Sequence, residues 1–234
     1  FCLSREIFGS ISSKTTLVQH ISLVSFLFFS ACALKPVSDM DNPEYHHKAG
    51  MRHIDMGEYE LSLTSFQRAI ALDKKFGPAH AGMGIAYANL KNKKSAKKHA
   101  DKAEGSAGKD PDVLALCGKV YIDLRDQDRK WHKSANRLLK KALKRDKEHE
   151  AASYYKGEMS LYRYNFSEAE DQFRNVVNMK GDYSGKADRM WQLSQKIVRA
   201  VPGTDVGKKV ALYEEISRAD LAVLFAEELK ISML

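Results

Sequence analysis

The chain has 234 residues, 44% of them apolar, which suffices for one sizeable domain or two small ones with a real core. Five prolines and a body rich in Ala, Lys, Leu and Glu favour helices over sheets, and three scattered cysteines, Cys2, Cys32 and Cys117, exclude a disulfide framework or a paired-cysteine zinc site. The net charge of +8 is not confined to a tail; it reads either as solvated helix faces or as a match for an anionic surface.

Residues 21–29 read Ile-Ser-Leu-Val-Ser-Phe-Leu-Phe-Phe, an apolar run preceded by a polar, basic stretch with Lys14 and His20 and followed by Ser30 and Ala31. That is the plan of a secretory signal. The run is too short for a membrane span, which takes about 20 apolar residues. Phe29-Ser30-Ala31-Cys32 resembles the lipobox of bacterial lipoproteins, with Phe29 where that family usually has Leu. The resemblance implies a signal peptide over 1–31 and a lipid-bearing Cys32. Ala33, in place of Asp, resembles lipoproteins sorted to the outer membrane, so the expected location is the bacterial envelope, facing the periplasm. Acyl chains, each buried CH₂ contributing about 0.8 kcal/mol, would anchor the chain firmly in the membrane. The alternative is an ordinary signal or membrane anchor in which Cys32 is incidental. Residues 32–42 contain Pro36 and no helical period and read as a flexible tether. The first residue is Phe1, as in an incomplete reading frame or one with a mis-assigned start.

A 34-residue frame begun at Pro43 organises the chain from there to residue 183. Gly50, Gly57, Tyr59, Phe66 and Ala69 occupy its eighth, fifteenth, seventeenth, twenty-fourth and twenty-seventh positions. Gly84, Tyr87, Ala96, Ala100 and Ala103 answer them in a second unit, and Cys117, Gly118, Tyr121, Ala135, Leu139 and Ala142 in a third lengthened by about five residues. Gly157, Phe166, Ala169, Phe173 and Val176 mark a fourth. These units, 43–76, 77–110, 111–149 and 150–183, resemble tetratricopeptide repeats, with Ser62 and His53 departing from the usual Ala and Tyr. The expected fold is an all-α superhelix of about four helix pairs, in which each pair buries its apolar face against its neighbour. The lengthening falls at residues 123–132, a longer loop being a cheap insertion. There Trp131 either packs on the second helix or forms a binding tip.

In the tetratricopeptide family the concave face is built from the first helix of each pair. Carried over position by position, the groove comprises His47, Met51, Ile54 and Asp55; Ala81, Ile85 and Asn89; Lys119, Ile122 and Asp123; and Tyr154, Glu158, Leu161 and Tyr162. This mixture of apolar, aromatic and charged residues suits an extended peptide or a partner helix. His47 and Met51 stand where a chaperone-tail clamp would have Lys and Asn, so acidic chaperone tails are not expected partners. His46 and His53 fall at helix-packing positions and diverge from His47, so no metal site is expected. Cys117 falls at a packed position and reads as an inert core thiol. The cationic stretches 91–102 and 137–147 alternate with apolar residues as outward-facing second helices require. Cell-wall polymers or anionic headgroups could use that charge; nucleic acid is not an expected partner.

Met190, Leu193, Ile197 and Val201 keep a helical period up to Pro202-Gly203, a capping helix over 184–203. Within the terminal segment 204–234, Ile-Ser-Arg-Ala-Asp-Leu-Ala at 216–222 resembles the opening of an S-layer homology motif, which implies a glycan-binding role for Arg218. A Ser-capped amphipathic helix packed on the solenoid explains the same letters. No catalytic constellation and no cofactor motif stands out. The expected function is therefore a non-enzymatic scaffold with a protein or peptide partner in the groove, a membrane anchor and, as the alternative, a cell-wall ligand.

Overall fold

The computed structural model describes residues 41–213 and 215–228, all within the unit Met40–Leu234. The expected signal segment 1–31 and Cys32 lie outside the described residues. Four antiparallel helix pairs come first: α1 (Pro43–Asp55) with α2 (Tyr59–Leu72), α3 (Gly77–Asn89) with α4 (Lys93–Ala107), α5 (Pro111–Asp123) with α6 (Trp131–Arg145), and α7 (Glu150–Tyr162) with α8 (Phe166–Met179). The chain continues through α9 (Ser184–Ala200), α10 (Asp205–Val210) and α11 (Arg218–Glu228). The starts of α1, α3 and α5 are 34 residues apart, and α9 starts 34 residues after α7. The capping helix thus stands where the first helix of a fifth unit would.

Local chemistry starts the helices where the frame predicts. Asn42 Oδ1 accepts from the Tyr45 amide at 2.8 Å with Pro43 in the first turn, and Asp110 Oδ1 accepts from the Asp112 amide at 2.9 Å ahead of Pro111. The turn joining the helices of a pair passes through the left-handed region at one repeated place: Gly57 (φ 76°), Lys91 (φ 60°) and Tyr164 (φ 62°). Two of the three carry a steric cost that glycine avoids.

Close approach is what the small residues provide. The Phe66 ring fills the space against Gly50 and Gly82, and a Cβ on Gly50 would stand 2.5 Å from Phe66 Cε1. Gly118 against Leu139 and Gly157 against Phe173 repeat the arrangement, with 2.7 Å in each case. Phe66 and Phe173 are fully buried, each contributing roughly 1.5–3 kcal/mol relative to exposure. Along α4 the buried residues are Ala96, Ala100 and Ala103, and along α6 they are Ala135, Leu138, Leu139 and Ala142. The lysines between them face outward. First helices touch first helices (α1 with α3, α3 with α5, α5 with α7), while each second helix touches the next pair. The fold is an all-α solenoid of tetratricopeptide type.

Several sequence expectations change in detail. Asp41 and Asn42, assigned to the tether, belong to the folded unit: Asp41 is held by Arg68 and by His46 at 2.7 Å. The lengthened turn is tied down by side-chain hydrogen bonds. Asp128 accepts from Lys97 at 2.9 Å, Gln127 Nε2 donates to the Ala88 carbonyl at 3.0 Å, and Lys93 donates back to Gln127 O at 2.9 Å. Trp131 opens α6 instead of tipping the loop. The capping helix stops at Ala200, because Val201 turns left-handed ahead of Pro202. Helix α11 carries its Ser cap, Ser217 and Asp220 bonding reciprocally, but it packs on α10 and buries none of its own residues. No helix among the described residues is long and apolar enough to cross a membrane.

Candidate partner-binding groove

Ten of the fourteen groove residues expected from their repeat positions line a single cavity of about 930 Å³: His47, Met51, Ile54, Asp55, Ile85, Asn89, Lys119, Asp123, Tyr154 and Glu158. The 3.6-residue period brings them together, since they recur along the first helices at helical spacing. That volume lies near the top of the range for ligand clefts.

Tyr162 is one of the four that do not. It lines a separate hollow with Trp131, Tyr164 and Tyr213, and the Arg125 guanidinium lies over its ring, 4.1 Å from the centroid. Arg125 comes from the lengthened turn, so the insertion displaces the fourth unit's last groove position. Ala81, Ile122 and Leu161, also expected on the concave face, are buried in the core instead. Tyr154 reaches the cavity with little surface to offer, because its ring packs on Phe173, Tyr155 and Tyr183 at 5.3–5.6 Å.

The floor holds a charged network. Lys119 Nζ donates to Asp123 Oδ1 at 2.5 Å and lies 3.7 Å from Glu158 Oε2, while Asn89 Nδ2 donates to Asp123 Oδ2 at 3.2 Å. Burial works against the charged form of Lys119, yet Glu158 and Asp123 outweigh it and hold the ammonium charged. Burial pushes the Glu158 carboxyl above its ordinary range, and Glu158 Oε2 accepts no hydrogen bond. His47 sits between Phe66 and Phe76, and burial lowers it to about 4, so its ring is neutral. His46 and His53 are engaged by carboxylates, His53 with Glu58 at 2.6 Å, rather than packed between helices. No cluster of three metal-ligating side chains occurs among the described residues.

Part of the wall comes from residues that repeat positions do not flag. Asp182, Tyr183 and Lys186, at the start of α9, close the cavity on the side of α1, where Lys186 Nζ lies 2.8 Å from Asp55 Oδ1. Tyr183 also bonds Tyr155 through their hydroxyls at 3.0 Å. The 34-residue step from Glu150 to Ser184 is the signal that could have placed them. A second feature outside the groove is the contact of His80 with His99, Nδ1 to Nδ1 at 3.2 Å, beneath Tyr87. Arg218, the residue matching the glycan-site arginine, is exposed in the first turn of α11.

No family model and no curated protein matches the sequence. Among solved structures, Pseudomonas aeruginosa PilF is similar at 16% identity, over 82% of this chain and 93% of its own, with a TM-score of 0.47. MamA of MSR-1 is similar at 18% identity, over 72% of this chain and 94% of its own, with a TM-score of 0.42. MamA of AMB-1 is similar at 19% identity, over 77% and 96% of the two chains, with a TM-score of 0.40.

Proposed function

We propose that the protein is a non-enzymatic scaffold whose first-helix groove receives a segment of a partner protein, in the assembly of an envelope, secretion or pilus-type complex. The observation that carries this reading is the single cavity of about 930 Å³ lined by ten residues from four repeat units, a continuous surface that no one helix pair makes. Of the charged groups inside it, Lys119 is paired with Asp123 and Glu158, and Lys186 with Asp55. Cys117 is buried with Sγ–H donating to Ala100 O at 3.6 Å, and burial pushes its thiol up to about 12, so it is no nucleophile. The lipobox-like Phe29-Ser30-Ala31-Cys32 supports an envelope location with a lipid on Cys32.

Photo-cross-linking in the native cells tests the groove. A benzoylphenylalanine at Asn89 is expected to capture a defined partner that the same group at Lys140, on the outer face, does not. Capture only from Lys140, or equal capture from both, would sink the reading.

A second reading, attachment to peptidoglycan or an associated polymer, is supported by the exposed Arg218 and by Leu221 and Phe225, which the solenoid leaves half uncovered. Retention on purified cell wall, lost in Arg218→Ala, is its expected outcome, and no retention by the unsubstituted protein ends it.

A further inference from the structure

We infer that the groove selects a cationic segment: a stretch of partner protein whose lysine or arginine side chains enter among Asp55, Asn89, Asp123 and Glu158. This rests on the groove being the docking surface, and it adds the chemistry of what docks there.

The charge is distributed against the average of the chain. Seven carboxylates and three lysines line the cavity of a protein whose net charge is +8. The basic excess lies outside, on α4 and α6. Of the three lysines, Lys119 and Lys186 are already committed to carboxylates.

Two of these acids sit at helix ends that disfavour them. Asp55, Asn89 and Asp123 are the last residues of α1, α3 and α5. A carboxylate at that end faces the negative pole of the helix macrodipole, which is unfavourable. Asp123 is also buried, and Glu158, 13% exposed, holds Oε2 3.7 Å from Lys119 Nζ without a hydrogen bond to it. Acids retained in places that disfavour them are offset when a cation arrives. The acids at the starts of α1 and α5, Glu44 and Asp112, need no such explanation, since the positive pole of a helix favours them.

The chain itself shows the mode of recognition. Lys186 Nζ rests 2.8 Å from Asp55 and 5.9 Å from the centre of the Tyr183 ring. An ammonium between a carboxylate and an aromatic face is the environment a visiting lysine would share.

The test uses the full chain and two labelled nine-residue peptides, one alternating Lys and Leu and the other alternating Glu and Leu, followed by fluorescence anisotropy. The Lys-Leu peptide is expected to bind about tenfold tighter or better, with an affinity that falls as salt rises. Reversing two exposed wall charges together, Asp55→Lys with Asp182→Lys, is expected to bring the ratio to about threefold or below. The milder pair Asp55→Asn with Asp182→Asn should lower it in the same direction, and circular dichroism reports whether either variant keeps the fold. A Glu-Leu peptide that binds as well, neither peptide binding, or a ratio indifferent to both variants overturns the cationic assignment. Capture of a partner from Asn89 without such a charge preference leaves the docking surface standing; absence of that capture removes the docking surface itself.

Discussion

Asn89 Nδ2 donates to Asp123 Oδ2 at 3.2 Å, joining the last residues of two first helices that stand 34 positions apart. The acceptor is 7% exposed and also receives Lys119. Asn89→Asp would set a second carboxylate against it with one ammonium to share, and like charges at this range disfavour the doubly ionised pair. The variant is expected to lose about 1–3 kcal/mol of stability near neutral pH, as a buried donor is exchanged for a repulsion. Urea midpoints at neutral pH measure the effect, and an unchanged midpoint refutes the contact.

Phe66 meets two glycines at once, so a methyl on either displaces a fully buried ring. Gly50→Ala and Gly82→Ala are each expected to cost about 1–3 kcal/mol by overpacking. Combining either with Phe66→Leu should cost less than the sum of the single changes, since the smaller side chain yields the space. Additive losses in a double-mutant cycle would show that the ring does not fill the space between the two glycines.

Burial, followed by the neighbouring His80, lowers His99 from 6.5 to about 4, and Lys102 and Lys98 act in the same direction. Between those two pH values the unfolded chain binds a proton that the folded one refuses. The contribution of His99 is therefore complete above pH 6.5 and is lost progressively as the pH falls toward 4. His47, lowered to about 4 by burial, adds a loss of the same sign. His99→Phe is expected to flatten the acid side of the stability profile by about 1 kcal/mol, a value reduced because solvent reaches part of the ring. An acid profile identical to that of the unsubstituted protein would contradict this.

Val201 combines φ of 49° with a β-branched side chain that is 75% exposed. Nothing packed is lost by removing that side chain, and the left-handed conformation costs a non-glycine residue about 1–2 kcal/mol. Val201→Gly is expected to raise stability by about 1 kcal/mol, and Lys91→Gly by somewhat less, since Lys is not branched at Cβ. Thermal melts of the two variants and their combination decide it.

The helical register was legible because it rests on pairs of residues within one unit: glycine at the eighth position with Phe66, Leu139 or Phe173 across from it in three of the four units. The same periodicity brings ten of the expected residues to one cavity. Tyr162 lies apart from it with Arg125 of the longer third turn over its ring, an arrangement that depends on where an irregular segment lands. It missed Asp182, Tyr183 and Lys186, whose role comes from the curvature that carries α9 around to α1 and not from any motif of their own. The contact between His80 and His99 was equally hidden, since two residues 19 apart on opposite helices of a pair share no face until the helices are docked.

The ion pair between Asp55 and Lys186 connects residues 131 positions apart, whereas the main helix contacts among the described residues run between near neighbours. Repeat arrays of that kind behave as one-dimensional stacks, in which either extremity can fray without consulting the other. Here the first helix and the ninth share a contact, so loosening one withdraws support from its counterpart. An exposed pair contributes only about 0–1 kcal/mol, enough to bias rather than to lock. The two extremities are thereby coupled: in place of an open stack that peels from whichever end is weaker, the array has a seam, and melting at the seam is felt on both sides of it.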